Sequence, residues 1–597
     1  MNDTPTTVSS RTFGNEDSLP RVPLPTPEES CERFLEWSAP LLTAAEREAT
    51  EAAVTEFLKP DSPAHTLHAA LAEYDATPGV ASWLDEFWPS RYLGRRDRIA
   101  LNANFFFLFA DAELEQVPRA AALVRSAVDY KSRLDREELP PVVQRGQPQS
   151  MDQHRFLFST TRIPGREQDT VRAPYSERQP GPSPARHIVV FFRGNAFRMD
   201  VLDPEGRPYA LADLEAGLRE VTKAGVVPAQ YSVGSLTTEA RAEWADDRRA
   251  LAALPGNAEA LETVETALLC LCLDDLVPED ARQACDQLLH GDSGNRWFDK
   301  SVSLVVFGDG RAGINVEHCG LDGTTVLAFV DDLLDGDPEP VEPRGTPAVD
   351  FVEFTLDESL RTKVRTAATA FADYAAANAT TTVAFDDFGS AEAKRLGVSP
   401  DAFVQMAYQV AHKRTKGFTG ATYESIATRQ YRNGRTEAMR VITPEILRFV
   451  AVMDDPDADA DTRREAFRAA ADKHVARAKE CQSGQAPEQH LWELQLIQQR
   501  RGAELGATGE LALYDTPGWR IMRDDYLSTS SAPSKNIQFF GFGSTSSHCI
   551  GVAYVLLPDR FHLYLSTPQA VAEQMYSFAE HLRTAVYELR DLLDTGN

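Results

Sequence analysis

The order of hydrophobic and polar residues predicts a chain in which helices and strands are mixed along its whole length. Apolar residues at helical spacing predict helices from about Cys31, over Glu46–Leu58 and Thr66–Tyr74, and at about 208–223, 236–254, 357–378 and 401–415. A last long helix is predicted after Thr567-Pro568, a pair typical of an N-cap followed by the first helical position. Apolar runs predict strands at Ser301–Phe307 and at about 535–543, 550–557 and 561–566, and a hairpin around Gly194-Asn195. Both halves of the chain therefore favour an α/β sandwich.

The length and one proline-rich segment predict two domains. A chain of 597 residues is too long for a single hydrophobic core. Residues 336–345 combine prolines and charges that cannot build a core, so a boundary is predicted there. The polar start predicts a disordered tail over 1–18, an N-terminal domain over 19–345 and a C-terminal domain over 346–597. The first helices could also pack on the C-terminal half.

The net charge and the lack of targeting signals limit the partners and the cellular location that are expected. The formal charge of −29 argues against nucleic acid and anionic membranes as partners, because the long-range field repels polyanions. No apolar run approaches the roughly 20 residues that span a bilayer, and Met1–Pro20 lacks the features of a signal peptide. The seven cysteines have no spacing of metal ligands, so free thiols in a cytoplasmic protein are expected.

A histidine beyond a predicted strand is the first candidate for chemistry. His318 follows Ser301–Phe307 and the turn around Gly308-Asp309-Gly310, and Asp322-Gly323 is expected to form the next turn. An imidazole held there could act as a general base, since its unperturbed pKa is about 6.5. The alternative is a structural histidine, which is the commoner role. The Gly-x-Gly-x-x-Gly match at 308–313 precedes a strand instead of a helix, so it is expected to be a turn and not a phosphate site.

The residues around this histidine resemble a known family. His318-x-x-x-Asp322-Gly323 resembles the signature of the CoA-dependent acyltransferase superfamily, which includes chloramphenicol acetyltransferase and the condensation domains. Together with 295–301 and 309–313, it is similar to the choline/carnitine acyltransferase family. The resemblance implies an α/β (α+β) fold of two chloramphenicol-acetyltransferase-like domains. Each domain would be a mixed sheet packed with helices, and an active-site tunnel would lie at their interface.

The resemblance also implies roles for individual residues. His318 would be the general base, Ser530 in Leu527-Ser528-Thr529-Ser530 would stabilise the oxyanion, and Asp322 would pair with Arg435. The remaining implied substrate contacts are Tyr92, Tyr423, Thr436, Gln489, Ser528, Phe540 and Phe542. Phe540 occupies a position that is glycine in members taking long acyl chains, so a closed pocket and a short acyl group are expected.

Two departures from the family pattern affect substrate choice. Carnitine enzymes hold the carboxylate of carnitine with an arginine before a His-Leu pair, and here that residue is Gln489. A neutral amide cannot provide the charge-assisted bidentate grip, so carnitine use is doubtful. The family's two CoA-binding lysines, four residues apart, are Ser390 and Lys394 here. The loss of one lysine would suit either free CoA or a carrier-bound phosphopantetheine.

These observations predict an enzyme that moves a short acyl group between a CoA-type thioester and the hydroxyl of a small acceptor other than carnitine. One alternative is an acyltransferase of a specialised pathway that takes its acyl group from an acyl carrier protein and transfers it to an alcohol or amine. A second alternative is a non-catalytic binding protein on the same scaffold. No metal and no tightly bound cofactor are implied, because the reaction needs neither, and a monomer is expected.

Overall fold

A computed structural model describes residues 9–595, so the first eight residues of the predicted disordered tail lie outside the described residues. Residues 9–18 are not a loose tail. The buried carboxylate of Glu16 accepts hydrogen bonds from the Ser150 hydroxyl at 2.9 Å and from the Met151 amide. Burial raises the pKa of Glu16 to about 7. The segment is ordered because these long-range bonds hold a polar stretch that has no apolar pattern of its own.

The strands of the described chain begin at Phe105. In chain order they are β1 (Phe105–Phe109), β2 (Val143–Gln144), β3 (Gln147–Pro148), β4 (Thr161–Ile163), β5 (Thr170–Arg172), β6 (His187–Phe192), β7 (Asn195–Asp200), β8 (Cys270–Leu273), β9 (Val302–Val306), β10 (Ala312–Val316), β11 (Val349–Phe351), β12 (Asn378–Phe385), β13 (Thr422–Ala427), β14 (Thr436–Arg440), β15 (Leu527–Ser531), β16 (Ile537–Phe542), β17 (Ile550–Leu556) and β18 (Phe561–Pro568). The predicted hairpin around Gly194 is confirmed as β6 and β7, which pair antiparallel.

The α-helices of the described chain begin before the first strand and end after the last one. In chain order they are α1 (Pro27–Ser38), α2 (Ala44–Phe57), α3 (Pro63–Asp75), α4 (Phe87–Leu93), α5 (Gln116–Asp135), α6 (Leu211–Ala224), α7 (Arg241–Ala252), α8 (Asn257–Thr266), α9 (Ala281–Leu289), α10 (Gly323–Asp335), α11 (Glu358–Ala376), α12 (Ser390–Arg395), α13 (Pro400–Lys416), α14 (Pro444–Met453), α15 (Ala460–Gln482), α16 (Glu488–Arg501), α17 (Pro517–Arg523) and α18 (Ala572–Leu593). Within residues 9–595, no helix has both the length and the apolar character needed to cross a membrane.

Several helix starts follow a serine or threonine N-cap. Thr26 caps α1 in a reciprocal box with Glu29, so α1 begins at Pro27, one turn before the predicted start at Cys31. A Ser/Thr-Pro pair also opens α3, α13, α14 and α17. The prediction that Thr567-Pro568 opens the last helix is wrong: β18 continues through Pro568, and α18 begins at Ala572. Thr567 instead donates its hydroxyl hydrogen to the Cys549 carbonyl oxygen.

Among the described residues, the first compact unit comprises 9–19, 89–380 and 532–543, and it contains an eight-stranded sheet. The strand order is β11-β7-β6-β8-β9-β10-β1-β16. Strands β6, β8 and β9 are parallel neighbours and the other pairs are antiparallel. Every residue of β6, β8, β9 and β10 is buried, as expected for strands covered on both faces.

The second unit comprises the described residues 20–88, 381–531 and 544–595, and it contains a six-stranded sheet in the order β12-β18-β17-β15-β13-β14. Strand β15 lies parallel to both β13 and β17. The helix α13 supplies amides to one face of this sheet, where Gln405 donates to the Thr529 hydroxyl and Gln409 donates to the Thr422 hydroxyl. The predicted mixed α/β fold with two sheets packed by helices is confirmed.

The two units do not follow the predicted linear division at 345/346. Segment 336–345 lies inside the first unit, where the Asp213 carboxylate accepts a hydrogen bond from the Arg344 amide at 2.7 Å. The helix α11, which follows, also belongs to that unit, and its Phe371 packs with Ala100 and Phe298. Strand β16 joins the first unit because it pairs with β1, although it comes from the end of the chain. Long-range strand pairing, which has no local signal, decides the division.

Candidate active site

His318 lies just beyond the end of β10. Strands β9 and β10 form a hairpin whose turn includes Gly310 at φ +87°, which confirms the turn predicted at 308–313. The Glu317 amide donates to the Ser301 carbonyl oxygen at 3.1 Å, so the backbone stays tied to the hairpin up to the residue before His318. The His318 side chain is 23% exposed, which leaves part of the ring accessible.

The hydrogen bonding of His318 determines its neutral tautomer. Its Nδ1 lies 2.8 Å from the Leu321 carbonyl oxygen, which can only accept a hydrogen bond. Nδ1 must therefore carry the hydrogen, and the carboxylate of Asp322, 3.6 Å from the same nitrogen, favours that arrangement. In the neutral ring the lone pair is then on Nε2, the form that a general base requires.

Two aromatic rings hold the imidazole in place. The Tyr92 ring is stacked on His318 with centroids 5.1 Å apart, and the Phe105 ring lies 4.7 Å away at a tilt of 50°. Tyr92 was predicted as a site residue. Phe105 was not predicted; it lies on β1, in which every residue is phenylalanine or leucine. A fixed ring position reduces the reorganisation needed before proton transfer.

Asp322 does not form the turn that the sequence predicts. It is the residue before α10, and its buried carboxylate accepts a hydrogen bond from Gln153 Nε2 at 2.7 Å. The Asp322 amide donates to Gln153 Oε1 at 2.8 Å, so one glutamine side chain binds both groups of Asp322. The backbone enters a helix here, and Gly323 has no positive φ. Gln153 was not predicted, because it lies far from Asp322 in the sequence.

The predicted pocket residues Phe540 and Phe542 lie on β16. In the β1–β16 pair, Phe540 is opposite Phe107 and Phe542 is opposite Phe105. Ring centroids are 5.3 Å apart for Phe107 and Phe540, and 5.7 Å apart for Phe540 and Phe542. Phe105 also contacts His318. The two phenylalanines of β16 are therefore connected through aromatic contacts to His318 and Tyr92, and through His318 to Asp322, within the first unit.

The side chains of the Ser-Thr-Ser motif point to opposite faces of β15, because they alternate along the strand. Thr529 on β15 is fully buried, and its hydroxyl donates to the Tyr423 carbonyl oxygen at 2.8 Å and accepts from Gln405 at 2.9 Å. Ser528 and Ser530 must then point to the other face, because successive side chains of a strand alternate. Ser530 is half-buried.

Strand register places the predicted acceptor-binding hydroxyls on the face that carries these serines. Ser528 pairs with Tyr423 in the β13–β15 ladder, and Thr436 pairs with Ala427 in the β13–β14 ladder. Directly paired residues share a face, as do residues two apart on one strand. Tyr423, Thr436, Ser528 and Ser530 therefore lie on the same face of the second sheet.

Arg440 supports the Tyr423 side of that face. Its guanidinium carbon lies 5.5 Å from the Tyr423 ring centroid, and the group forms ion pairs with Glu488 at 2.7 Å and with Asp525 at 2.5 Å. Burial raises the pKa of Asp525 to about 6, although the arginine acts in the opposite direction. Burial lowers the pKa of Arg440, but the two carboxylates outweigh it and the net shift is upward.

Gln489 is bound to the strand that carries Thr436. It is fully buried on α16, and its Nε2 donates to the Thr436 carbonyl oxygen at 2.7 Å. Among the described residues its buried Oε1 has no hydrogen-bond partner. Arg435, the residue before Thr436, places its guanidinium carbon 5.1 Å from the Trp88 ring centroid. The Gln489 amide therefore has a buried, unsatisfied acceptor oxygen, and its nitrogen is bound to a residue predicted to contact the acceptor.

The predicted donor-binding residues share the short helix α12. Ser390 is its first residue, is buried, and donates its amide hydrogen to the Leu557 carbonyl oxygen at 2.7 Å. Lys394 lies one turn later and is exposed. Ser390 therefore ties the start of α12 to the Leu557 backbone, whereas Lys394 is accessible to solvent.

Comparisons with known proteins match this chain over nearly its whole length. The profile of the family described as Choline/Carnitine o-acyltransferase matches residues 22–584. The chain belongs to this family. It is 32% identical to peroxisomal carnitine O-octanoyltransferase of Rattus norvegicus, over 99% of the chain and 98% of that protein. It is 31% identical to mitochondrial carnitine O-palmitoyltransferase 2 of the same organism, over 92% of the chain and 88% of that protein. The prediction of an acyltransferase is confirmed at this level.

A solved structure with partial similarity is the first condensation domain of the CDA synthetase. It has 13% sequence identity and a TM-score of 0.36, and the similarity covers 83% of this chain and 92% of that one.

A polar cluster in this acyltransferase was not predicted; His474 and Glu424 are buried, whereas the Asp401 side chain is 41% exposed. His474 Nε2 lies 3.0 Å from Asp401 Oδ2 and 3.4 Å from Glu424 Oε2, and the Tyr554 hydroxyl donates to Asp401 Oδ1 at 2.7 Å. The ligating atoms lie within 4.8 Å of one another, close enough to hold a metal ion. Burial raises the pKa of Glu424 well above its usual range, and the nearby Asp401 carboxylate acts in the same direction. No local spacing in the sequence relates these residues.

A surface cavity of about 700 Å³ lies in the first unit, away from the predicted site residues of this family member. Arg172, Arg248, Glu262 and Glu265 are among the residues that line it. These four side chains are already joined in ion pairs with one another. The lining also includes Arg178, so it holds three arginines and two glutamates, and none of the residues predicted for acyl transfer contributes to it.

Proposed function

We propose that the protein transfers a short acyl group from a CoA-type thioester to the hydroxyl group of a small acceptor that carries no carboxylate. His318 is the general base that removes the hydroxyl proton. The observation that carries the proposal is the hydrogen bond between His318 Nδ1 and the Leu321 carbonyl oxygen, because it leaves the lone pair on Nε2. A general base of this kind contributes about 10²- to 10⁴-fold to a rate.

The proton and the acyl group move in a balanced sequence. His318 Nε2 takes the proton from the acceptor hydroxyl as its oxygen attacks the thioester carbonyl carbon. The tetrahedral oxyanion accepts a hydrogen bond from the Ser530 hydroxyl, which the second sheet carries on the face shared with Tyr423. The C–S bond then breaks, and the imidazolium returns its proton to the departing CoA thiolate. The products are the acyl ester and CoA thiol.

The acceptor proposal rests on Gln489. The curated relatives are named for carnitine, which carries a carboxylate, whereas Gln489 offers a neutral amide whose Nε2 is already bound to Thr436. Its remaining acceptor oxygen would repel a carboxylate and would favour a hydroxyl or ammonium donor. The Phe542 ring could add about 0.5–2 kcal/mol for a quaternary ammonium placed over its face.

The acyl proposal rests on Phe540. Its side chain is 5% exposed, and its ring packs between those of Phe107 and Phe542. A packed aromatic ring fills the volume that a long hydrocarbon chain would need. An acetyl or propionyl group is therefore favoured over octanoyl and palmitoyl groups.

A donor and acceptor panel tests the proposal. Acetyl-, octanoyl- and palmitoyl-CoA, and an acetylated acyl carrier protein, are each incubated with choline, carnitine or ethanolamine, and thiol release and acylated product are both measured. We expect acetyl-CoA with choline or ethanolamine to give product, and His318→Ala to lower kcat by at least about 10²-fold. A higher kcat/KM for carnitine than for choline would contradict the acceptor assignment. Preference for the carrier protein would instead support the carrier-bound alternative.

A further inference from the structure

Arg162 on β4 joins three separate segments of the first unit. Its side chain is 0% exposed. Nε donates to Asp169 Oδ2 at 2.6 Å, Nη1 donates to Glu317 Oε1 at 2.9 Å, and Nη2 donates to the Tyr92 carbonyl oxygen at 2.8 Å. The planar guanidinium presents its donors in a fixed fork, so the three acceptors have fixed positions relative to one another.

Glu317 connects Arg162 to the backbone on both sides of His318. Its carboxylate is fully buried, with Oε1 bound to Arg162 and Oε2 accepting a hydrogen bond from the Cys319 amide at 2.7 Å. The residues before and after His318 are thus held by one carboxylate, and that carboxylate is held by one guanidinium. Rotation of the His318 backbone would break at least one charge-assisted hydrogen bond.

Tyr92 provides the second connection. Its carbonyl oxygen is bound to Arg162, and its ring is stacked on His318 with an interplanar angle of 11°. Arg162 therefore fixes the backbone that carries the imidazole and also the residue whose ring covers one face of it. The guanidinium of Arg162 donates to Asp169, Glu317 and Tyr92, so it acts on His318 through Glu317 and Tyr92.

We propose that Arg162 is a positioning residue that sets the orientation of the His318 imidazole through Glu317 and Tyr92. This inference rests on the proposed role of His318 as general base. A lysine at 162 keeps the positive charge beside Asp169 and Glu317 but cannot reproduce the planar fork. Since small misplacements of a catalytic group can cost about 10²-fold, we expect Arg162→Lys to lower kcat by about 10- to 100-fold with KM for acetyl-CoA changed less than about threefold.

The test includes an NMR resonance that would not shift if the substitution only destabilised the protein. The protein is prepared with ¹³C-labelled histidine, and the His318 resonance is assigned by its absence in His318→Ala. We expect Arg162→Lys to shift or broaden this resonance and to displace the pH profile of kcat. The matched control is Arg296→Lys, because Arg296 is 1% exposed and is bound by both guanidinium Nη atoms to Asp274 in the same unit. The control should lower Tm without moving the His318 resonance.

A second variant covers the case in which Arg162→Lys does not fold. Glu317→Gln removes the charge that joins Arg162 to the His318 backbone and should move the same resonance. If Arg162→Lys and Glu317→Gln both leave the resonance and the pH profile where the Arg296→Lys control leaves them, the positioning role is overturned. If His318→Ala retains full activity, the general-base proposal fails, whereas the resonance still reports whether Arg162 positions the ring. The two failures are therefore distinguishable.

Discussion

The phenol ring of Tyr92 lies almost parallel to the imidazole of His318, with centroids 5.1 Å apart and an angle of 11° between the planes. Tyr92 is near the end of α4, and its guanidinium neighbour Arg91 lies 5.5 Å from the centroid of the same phenol ring. The ring covers one face of the imidazole, and Phe105 contacts it from a tilted position. The proposed base is thus confined by aromatic packing as well as by its Nδ1 hydrogen bond.

Replacing Tyr92 with leucine should lower kcat by about threefold to tenfold, because an aromatic pair contributes about 0.5–1.5 kcal/mol beyond its buried area. Steady-state kinetics with acetyl-CoA and the acceptor found by the panel measure the effect. Tyr92→Phe keeps the ring and should remain within about twofold of the wild type. Equal losses in both variants would mean that the hydroxyl matters and the stacking does not.

Ser530→Ala should lower kcat by about 10²- to 10³-fold, because it removes the hydroxyl proposed to stabilise the oxyanion. The acetyl-CoA KM should change little, since the interaction forms only in the transition state. Thr529→Val is the matched control on the same strand. It removes hydrogen bonds to Tyr423 and Gln405 and should cost about 1–3 kcal/mol of unfolding free energy with a much smaller loss of kcat. A larger kcat loss in Thr529→Val would contradict the assignment.

Phe540→Gly should raise the ratio of octanoyl-CoA to acetyl-CoA activity by at least about tenfold, because it opens the space that the ring now fills. The same change should destabilise the protein by about 3–5 kcal/mol, as for other large-to-small substitutions in a core. Phe539→Ala is the control, because Phe539 alternates to the opposite face of β16 and is equally buried. An unchanged ratio in Phe540→Gly would show that another residue limits the chain length.

Gln489→Arg should raise kcat/KM for carnitine relative to choline by at least about tenfold, because a guanidinium can form charge-assisted bonds with a carboxylate. Gln489→Leu is the control for loss of the hydrogen bond to the Thr436 carbonyl oxygen. If the leucine variant changed the preference as much as the arginine variant does, charge at this position would not explain acceptor choice.

His490 should make the protein less stable in acid. It is fully buried on α16, its Nδ1 lies 2.7 Å from the Ser30 hydroxyl, and its Nε2 lies 3.1 Å from His68 Nδ1. Burial lowers the pKa of His490 to about 3, and His68 acts in the same direction. Because the unfolded chain binds this proton near pH 6.5, stability is complete above that pH and is lost as the pH falls toward 3.

The measurement is urea unfolding of the wild type and His490→Asn at pH 7.5 and pH 5.0. Between these values the wild type should lose about 2 kcal/mol more than the variant, since each pH unit below 6.5 costs about 1.4 kcal/mol. An equal loss in both proteins would assign acid sensitivity to other groups, such as the buried His187 and His412, whose pKa values are each lowered by burial to about 4.

Local sequence patterns were sufficient for many of the elements. The β6–β7 hairpin, the turn around Gly310 and helices α11 and α13 all follow from apolar spacing and from glycine positions. The motifs around His318 and Ser-Thr-Ser could also be recognised from the sequence, because each motif is continuous in the chain. The start of α18 was placed wrongly, because hydrogen bonding within the second sheet extends β18 past Thr567.

By itself, the sequence determined the family, the mixed α/β class and the residues proposed to carry the chemistry, since these depend on short motifs and local periodicity. Only the tertiary structure placed β16 beside β1 and residues 20–88 in the second unit. It also brought Gln153 to Asp322, Arg162 to Glu317, and Tyr92 and Phe105 to His318. These contacts join residues far apart in the chain, and their energy comes from burial and hydrogen-bond geometry, which no local pattern encodes.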